Sequence, residues 1–381
     1  MQIPLEQSYR NKYYSLLDNI FDSNFWSEGK AVSSFEDNFS KFSGLPSVAV
    51  VNGGSAILSM YEYAGVKDKE VIVPANTFWA TSIAAKMAGA KVIYADCNKE
   101  DLCLSFKDLK KKVNKNTKAV AVVHIGGHIA FEIEEIANFC RERNIYLIED
   151  CAQAHGAKYK GRFVGSIGHI GAWSFCQDKI MTTGGEGGMV TTNDESLWRK
   201  MWAYKDHGKS YEAVYEREHP EGFRWLHESF GTNWRITAMQ AVIGRIQLKR
   251  MPDWHRKRLN NANSIWNAAK QCKGLRVPDI PDYIEHAAYK CYVFVKGDID
   301  LRDKMMMEIN EKGVPCYSGS CSEVYLEKAF DNTGFRPKER LPVAKELGET
   351  SLMFLVHPTL TEEEIQKTCN VLTEVALANY D

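Results

Sequence analysis

Between about residues 45 and 195, short apolar runs alternate with amphipathic stretches of the chain. The apolar runs predict seven strands, at residues 47–51, 70–73, 91–95, 119–124, 145–150, 172–175 and 188–192. Helical spacing predicts helices between them at 55–63, 81–88 and 133–143. Alternation of this kind is typical of an α/β domain with a mainly parallel sheet and helices on both faces.

After about residue 235 the pattern changes to long helical spacing. It predicts one helix at 236–250 that ends near Pro252, and a second helix at 254–271. The remainder combines a strand at 290–295, a helix at 300–312, a loop-rich stretch at 315–342 and a final helix at 361–378. We therefore expect a large α/β domain at residues 1–250 and a smaller α+β domain at residues 251–381.

The balance of charge excludes some classes of partner. The chain has 381 residues, with 48 basic and 49 acidic side chains, so no overall field favours nucleic acid or an anionic membrane. Its ten cysteines follow no metal-binding or disulfide spacing, which predicts reduced thiols, no metal site and a cytoplasmic location. Neither a secretory signal nor an apolar run of membrane-spanning length is visible.

Candidate ligand-binding segments follow the predicted strands. Ligands of parallel α/β sheets bind beyond the carboxyl ends of the strands, where segments 52–55 and 124–127 and the side chain of Asp150 fall. Segment 52–55 contains Gly53 and Gly54 and leads into a helix, so its N–H groups suit an anion such as phosphate. A tight strand-to-helix turn needs the same small residues, and the pattern favours neither interpretation.

A lysine and an acid stand out within this framework. Lys179 precedes a glycine cluster at 184–188, and Asp150 closes the apolar strand upstream of it. Pyridoxal phosphate (PLP) needs such a pair, because the lysine forms a Schiff base and the carboxylate keeps the pyridine nitrogen protonated. Taken alone, Lys179 would more commonly be a surface charge, Asp150 a helix cap, and Trp79, which follows another strand, a buried aromatic.

Four motifs in order resemble the DegT/StrS family of PLP-dependent sugar aminotransferases: segments 52–56, 74–81 and 149–156, and the pair Ser174 and Lys179. Segments 185–188 and 231–236 extend the resemblance, which is strong from residues 3–5 to about 250 and looser beyond. It implies the aspartate aminotransferase fold, fold type I, with PLP as the cofactor. It also implies a cofactor site made of Gly54, Ser55, Trp79, Asp150, Gln153, Ser174, Lys179 and Asn233.

The resemblance further implies a role for each of these residues. Lys179 and Asp150 are the catalytic residues, as the imine lysine that also carries protons and as the partner of the pyridinium nitrogen. Gln153 lies near the ring hydroxyl, and Trp79 occupies the ring-stacking position. Asn233 reaches the phosphate from a second subunit, which implies a homodimer with shared active sites. The remaining phosphate contacts come from Gly54, Ser55 and Ser174.

The implied reaction moves an amino group from glutamate to a nucleotide-linked keto sugar of a surface polysaccharide. Family members that dehydrate instead of aminating have histidine at the position of Lys179, so the lysine favours amination. Many nucleotide-sugar members carry a segment like Tyr-Pro-x-Pro-Leu-His, but this chain has a different sequence at 315–325. A small phosphorylated ketone such as dihydroxyacetone phosphate is therefore an alternative acceptor, and a PLP-binding regulatory protein is the alternative from another class. Candidates to bind a nucleotide diphosphate are Lys30, Arg224, Arg235, Arg336 and Arg340.

Overall fold

The structure is a computed structural model that describes residues 7–219, 221–222, 224–319 and 322–380. The start of the family resemblance at residues 3–5 lies outside the described residues, as do Ser320 and Cys321 of segment 315–325. The nine described cysteines are all free, and all but Cys176 are buried. None of the described helices has an apolar stretch that could cross a bilayer.

All seven strands predicted for the large domain are present in the described chain, within two residues of their predicted bounds. The strands are β1 (Ser47–Val50), β2 (Glu70–Pro74), β3 (Lys91–Ala95), β4 (Thr117–Val123), β5 (Tyr146–Asp150), β6 (Lys158–Tyr159), β7 (Arg162–Phe163), β8 (Ile170–Ser174), β9 (Gly188–Thr191), β10 (Leu275–Arg276), β11 (Ile284–Glu285), β12 (Cys291–Val295), β13 (Cys316–Tyr317) and β14 (Ser351–Phe354). The helices are α1 (Gln7–Ser23), α2 (Lys30–Ser43), α3 (Gly53–Ala64), α4 (Trp79–Met87), α5 (Phe106–Lys112), α6 (Ile133–Arg141), α7 (Glu195–Lys205), α8 (Tyr211–Tyr215), α9 (Ala238–Lys270), α10 (Ile299–Glu311), α11 (Pro342–Thr350) and α12 (Glu362–Tyr380).

A seven-stranded, mainly parallel sheet forms the centre of the large domain, in the order β1-β9-β8-β5-β4-β2-β3. Strands β3, β2, β4, β5 and β8 are parallel to one another, and only β9 pairs antiparallel, with β8 and β1. Every residue of β2, β8 and β9 is buried. Because successive side chains of a strand point to opposite faces, the sheet is covered on both sides, which explains the continuous apolar runs.

One long helix, α9, replaces the two helices predicted on either side of Pro252. It begins with a capping box, in which the side chains of Thr237 and Gln240 each bond the backbone N–H of the other residue. Pro252 lies inside this helix and removes one backbone hydrogen bond, a cost of about 3 kcal/mol. The prediction of a break was wrong because Met251 and Trp254, on either side of the proline, are both buried in the core.

The C-terminal part forms a four-stranded antiparallel sheet in the order β10-β12-β14-β13. Helices α10 and α12 pack with this sheet around a second core, so the predicted α+β character is correct. Helix α9 contributes Trp254 to the first core and Trp266 to the second. A boundary between residues 250 and 251 therefore falls inside a shared helix, and the two-domain division stays a prediction.

Candidate active site

The carboxyl ends of three neighbouring strands, β4, β5 and β8, open onto a cavity of about 700 Å³. This is the edge of the sheet where ligands of α/β folds bind. Five of the residues predicted for the site line this cavity together: Gly54, Asp150, Gln153, Ser174 and Lys179. They come from three separate stretches of the chain, the start of α3, the end of β5 with the loop after it, and the end of β8 with the loop after it, so the fold gathers them around one space.

Lys179 reaches into the cavity from the loop that follows β8. Its side chain is only 11% exposed, and its Nζ lies 5.8 Å from the ring centre of Phe78 and 5.4 Å from that of Tyr289. The neighbouring Asp178 accepts a hydrogen bond of 2.8 Å from the Tyr289 hydroxyl. Burial tends to raise the pKa of Asp178, but the Lys179 ammonium and the Tyr289 hydroxyl outweigh burial and lower it. Asp178 is therefore an anion beside the lysine.

Asp150 ends β5 and is buried at the base of the cavity. Its Oδ2 accepts a hydrogen bond of 2.7 Å from the Thr81 hydroxyl, and its Oδ1 accepts one of 3.1 Å from the Ala152 N–H. Burial nevertheless raises the pKa of Asp150, because these two bonds and the more distant Lys179 charge only partly offset it. A buried carboxylate of this kind gains from a cationic ligand, and the protonated pyridine nitrogen of PLP supplies such a charge.

Gln153 has a fixed orientation at the cavity wall. Its Oε1 accepts a hydrogen bond of 2.7 Å from the Gly126 N–H, which lies in the turn after β4. Since a backbone N–H can only donate, the amide oxygen is engaged and the amide NH₂ is the group available to a ligand. A donor at this position suits the ring hydroxyl of PLP.

The first turn of α3 lies at one end of the cavity, and its backbone N–H groups suit an anion. Asn52 caps this helix, and its Oδ1 accepts a hydrogen bond of 2.7 Å from the Ser55 N–H. Gly53 and Gly54 line the cavity, whereas Ser55 does not, and the contact of Ser55 with the phosphate stays a prediction. A Cβ on Gly53 would lie 2.6 Å from Cβ of Ser174, so only glycine allows β8 to approach the helix end this closely.

The aromatic side chain that segment 74–81 contributes to the cavity is Phe78, not Trp79 as expected. Trp79 is the first residue of α4, and its ring packs on Phe330 at a centroid distance of 4.9 Å, away from the cavity. Phe78 precedes the helix, is 56% exposed and lines the cavity. The turn into α4 points consecutive side chains in different directions, so Phe78 and not Trp79 is placed to contact a ring in this cavity, and the stacking itself stays a prediction.

Asn233 does not line the cavity of its own chain. It forms a backbone bridge with Asp206, and its Oδ1 accepts a hydrogen bond of 3.1 Å from Arg235. The segment before it projects from the surface, with the ring of Phe230 fully exposed at 99%. This position leaves open the expectation that Asn233 completes the site of a second subunit.

Four of the five cations expected near a nucleotide diphosphate have other surroundings in this structure. Arg336 donates to the carbonyl oxygens of residues 325–327, and Arg340 pairs with Glu323 and Glu349. Arg235 lies 3.5 Å from Asp206, and Lys30 lines a different cavity from the one that contains Lys179. Arg224 is exposed. The arrangement therefore does not bring these five side chains to the candidate site.

The chain is similar in sequence to a known family of proteins. Residues 8–373 match the DegT/DnrJ/EryC1/StrS aminotransferase family. The GDP-perosamine synthase of Escherichia coli O157:H7 is 30% identical over 386 residues, which cover 98% of this chain and 98% of that protein. The spore coat polysaccharide biosynthesis protein SpsC of Bacillus subtilis (strain 168) is 29% identical, with 93% of this chain and 92% of that protein covered.

The fold also matches that of a solved aminotransferase. The crystal structure of an aminotransferase from Psychrobacter cryohalolentis is 48% identical and covers 100% of this chain and 99% of that chain, with a TM-score of 0.94. Lys179, Asp150 and the glycine-rich start of α3 surround one cavity of a size that accommodates PLP. The chain therefore belongs to the DegT/DnrJ/EryC1/StrS aminotransferase family, and it is a PLP-dependent aminotransferase with the fold of that class.

Proposed function

We propose that the protein transfers the amino group of glutamate to the keto group of a nucleotide-linked sugar, in the synthesis of a surface polysaccharide. The proposal rests chiefly on Lys179 and Asp150, which face one cavity at the carboxyl ends of the central strands. The two relatives support the acceptor and the pathway, since one is a GDP-perosamine synthase and the other a spore coat polysaccharide biosynthesis protein.

Each of the proposed site residues has a separate role in such a transfer. When bound, PLP supplies an electron sink for the carbon that exchanges its amino group. Asp150 holds a proton on the ring nitrogen through charge pairing, and Gln153 donates to the ring hydroxyl. The Nζ of Lys179 is the basic atom placed to hold and return the proton of the reacting carbon. The N–H groups of Gly53 and Gly54, at the positive end of α3, bind the phosphate.

We further propose that the enzyme is a homodimer in which Asn233 reaches the phosphate site of the other subunit. Asn233 is not among the residues that line its own cavity, and exposed aromatic side chains on the same segment suit a protein interface. Light scattering on the active enzyme tests this proposal. A monomer at concentrations that sustain full activity contradicts it.

Half-reactions test the function directly. Glutamate is expected to remove the visible absorbance of PLP bound to Lys179, and the correct keto acceptor is expected to restore it. Lys179→Ala is expected to lack both the absorbance and the turnover, while its far-ultraviolet circular dichroism is unchanged. Near-native turnover by this variant contradicts the role of Lys179.

Competition identifies the acceptor class. If the acceptor is a nucleotide sugar, one of UDP, GDP and dTDP is expected to compete with it for the enzyme. Turnover of a three- or four-carbon phosphorylated ketone, with no competition by any of the three nucleotides, contradicts the nucleotide-sugar proposal.

A further inference from the structure

A second lysine, Lys290, lines the same cavity as Lys179. These two are the only cationic side chains among the described residues that line it. The proposed function assigns Lys179 to the cofactor. Lys290 is therefore the positive charge of this chain that remains available to a substrate.

The backbone at Lys290 is firmly placed against the large domain. Its N–H donates a hydrogen bond of 3.1 Å to the carbonyl oxygen of Gly126, whose own N–H bonds Gln153. Gly126 has a φ of 65°, and a Cβ there would lie 2.7 Å from the ring of Tyr292. This close contact holds the turn after β4 against β12. Lys290, which directly precedes β12, is therefore held near Gln153 at the cavity wall.

Lys290 lies toward the Lys179 end of the cavity. The residue before it, Tyr289, donates to Asp178 and lies beneath Nζ of Lys179. The Nζ of Lys290 itself lies 4.8 Å from the ring centre of Tyr289. The first turn of α3 has its own N–H donors for a phosphate, so Lys290 is not needed to hold one there.

The ammonium of Lys290 has no counter-ion in contact with it among the described residues. Within residues 7–219, 221–222, 224–319 and 322–380, no carboxylate lies within 4.0 Å of its Nζ, although Asp178 acts on it from farther away. Burial and the nearby Arg258 lower the pKa of Lys290 to about 8. A half-buried cation without a partner is costly, and an anionic ligand group that enters the cavity removes this cost.

The chemistry of the reaction selects the anion. In an α-amino acid the carboxylate is one bond from the carbon that carries the amine, so it must lie close to the Lys179 end of the cavity. In a nucleotide sugar the diphosphate is several bonds from a keto carbon of the ring. We propose that Lys290 binds the α-carboxylate of the amino donor, an inference that rests on the proposed transfer from an amino acid.

Single-turnover measurements on the PLP-loaded enzyme test this role. Lys290→Met is expected to raise the apparent Kd for glutamate by about 10- to 100-fold, the scale of a lost charge-assisted hydrogen bond. The apparent Kd for the keto acceptor is expected to stay within about twofold. Lys290→Arg keeps the charge and is expected to retain most of the affinity. The matched control is Lys270→Met, at the exposed end of α9.

A binding measurement without turnover supplies a second readout. Glutarate carries both carboxylates of glutamate but no amine, and calorimetry is expected to show weaker binding to Lys290→Met by a similar factor. The affinity of the native enzyme should also fall as pH rises through about 8, because Lys290 loses its proton there. The charged or titratable groups that face it are Arg258, Asp178, Lys179, Tyr289 and His357.

Three results would overturn the inference. The first is a glutamate Kd within twofold of the native value in Lys290→Met. The second is a loss of affinity for the keto acceptor alone, and the third is loss of PLP from the variant. The visible absorbance of the loaded variant shows in the same experiment that it is folded. If glutamate fails with the native enzyme but another amino acid succeeds, the proposed donor is wrong, and the same comparison with that amino acid still decides the role of Lys290.

Discussion

Two adjacent carboxylates, Glu149 and Asp150, occupy contrasting environments at the end of β5. Glu149 accepts hydrogen bonds from the His124 ring and from the N–H groups of Gly165, Ile167 and Gly168. Burial alone raises the pKa of Glu149, but these bonds outweigh burial and lower it. Asp150 has fewer donors, and burial raises its pKa. Glu149 is thus satisfied by the protein, whereas Asp150 is available to the cofactor.

This contrast predicts different effects for two matching substitutions. Asp150→Asn is expected to lower kcat by at least about 100-fold, roughly 2.7 kcal/mol of barrier, because an amide cannot keep the ring nitrogen protonated. Its thermal stability is expected to be no lower than native, since a buried charge is removed. Glu149→Gln is expected to lower stability by about 1–3 kcal/mol through lost acceptors. A loss of kcat below about threefold in Asp150→Asn contradicts the assignment.

At the scale of elements, helix α9 connects the two cores despite the proline within it. Pro252 is exposed, so its side chain contributes little packing, but its missing N–H leaves the carbonyl of Leu248 without the usual helical partner. The buried residues on either side hold the helix together, and the proline therefore reduces stability without ending the helix.

Pro252→Ala is expected to raise the free energy of unfolding by about 1–3 kcal/mol, because a backbone hydrogen bond is restored. Urea unfolding at one fixed protein concentration measures this change in the free energy of unfolding. Pro342→Ala is the control, since Pro342 occupies the first turn of α11, where proline is favourable. We expect that control to be unchanged or slightly less stable. A Pro252→Ala protein that is no more stable than native contradicts this account.

The sequence predicted elements better than it predicted the contacts between them. Strands buried on both faces appear as apolar runs, so β1 to β5, β8 and β9 were recognisable, while β6, β7 and β11, of two residues each, were not. Lys179 and Asp150 were identified from the pattern of residues, and Gln153 from the resemblance. Phe78 was missed by one position, because a linear pattern does not show in which direction a turn points each side chain.

Tyr289 and Lys290 were missed for a different reason. They lie more than 100 residues after Lys179, at the start of a strand whose apolar pattern belongs to the small domain. Their approach to the cavity depends on the bond between Gly126 and Lys290 and on that between Tyr289 and Asp178. No local pattern in the sequence predicts contacts between residues so far apart in the chain, and they are seen only in the folded structure.

At the scale of the whole molecule, a pair of histidines is buried where the chain after β4 meets the segment between β11 and β12. The rings of His128 and His286 meet edge to face at 4.2 Å, and both residues are almost fully buried. Neither ring nitrogen of His128 has a hydrogen-bond partner among the described residues. Burial, followed by the charge of Arg276, lowers the pKa of His128 to about 3, and burial also lowers that of His286. Both rings are neutral in the folded protein.

These histidines predict acid sensitivity of the fold. As pH falls below about 6.5, the unfolded chain takes up protons that the folded chain excludes, so stability decreases until the pH reaches the lowered pKa values. Each such group adds a slope of up to about 1.4 kcal/mol per pH unit. Between pH 6 and about pH 5, His128→Phe is expected to reduce the slope of unfolding free energy against pH by the contribution of one proton. The stability at pH 7.5 is expected to be unchanged or higher. Urea unfolding across this range measures it, with His227→Phe as an exposed control. An unchanged slope in His128→Phe would show that His128 takes up its proton without unfolding.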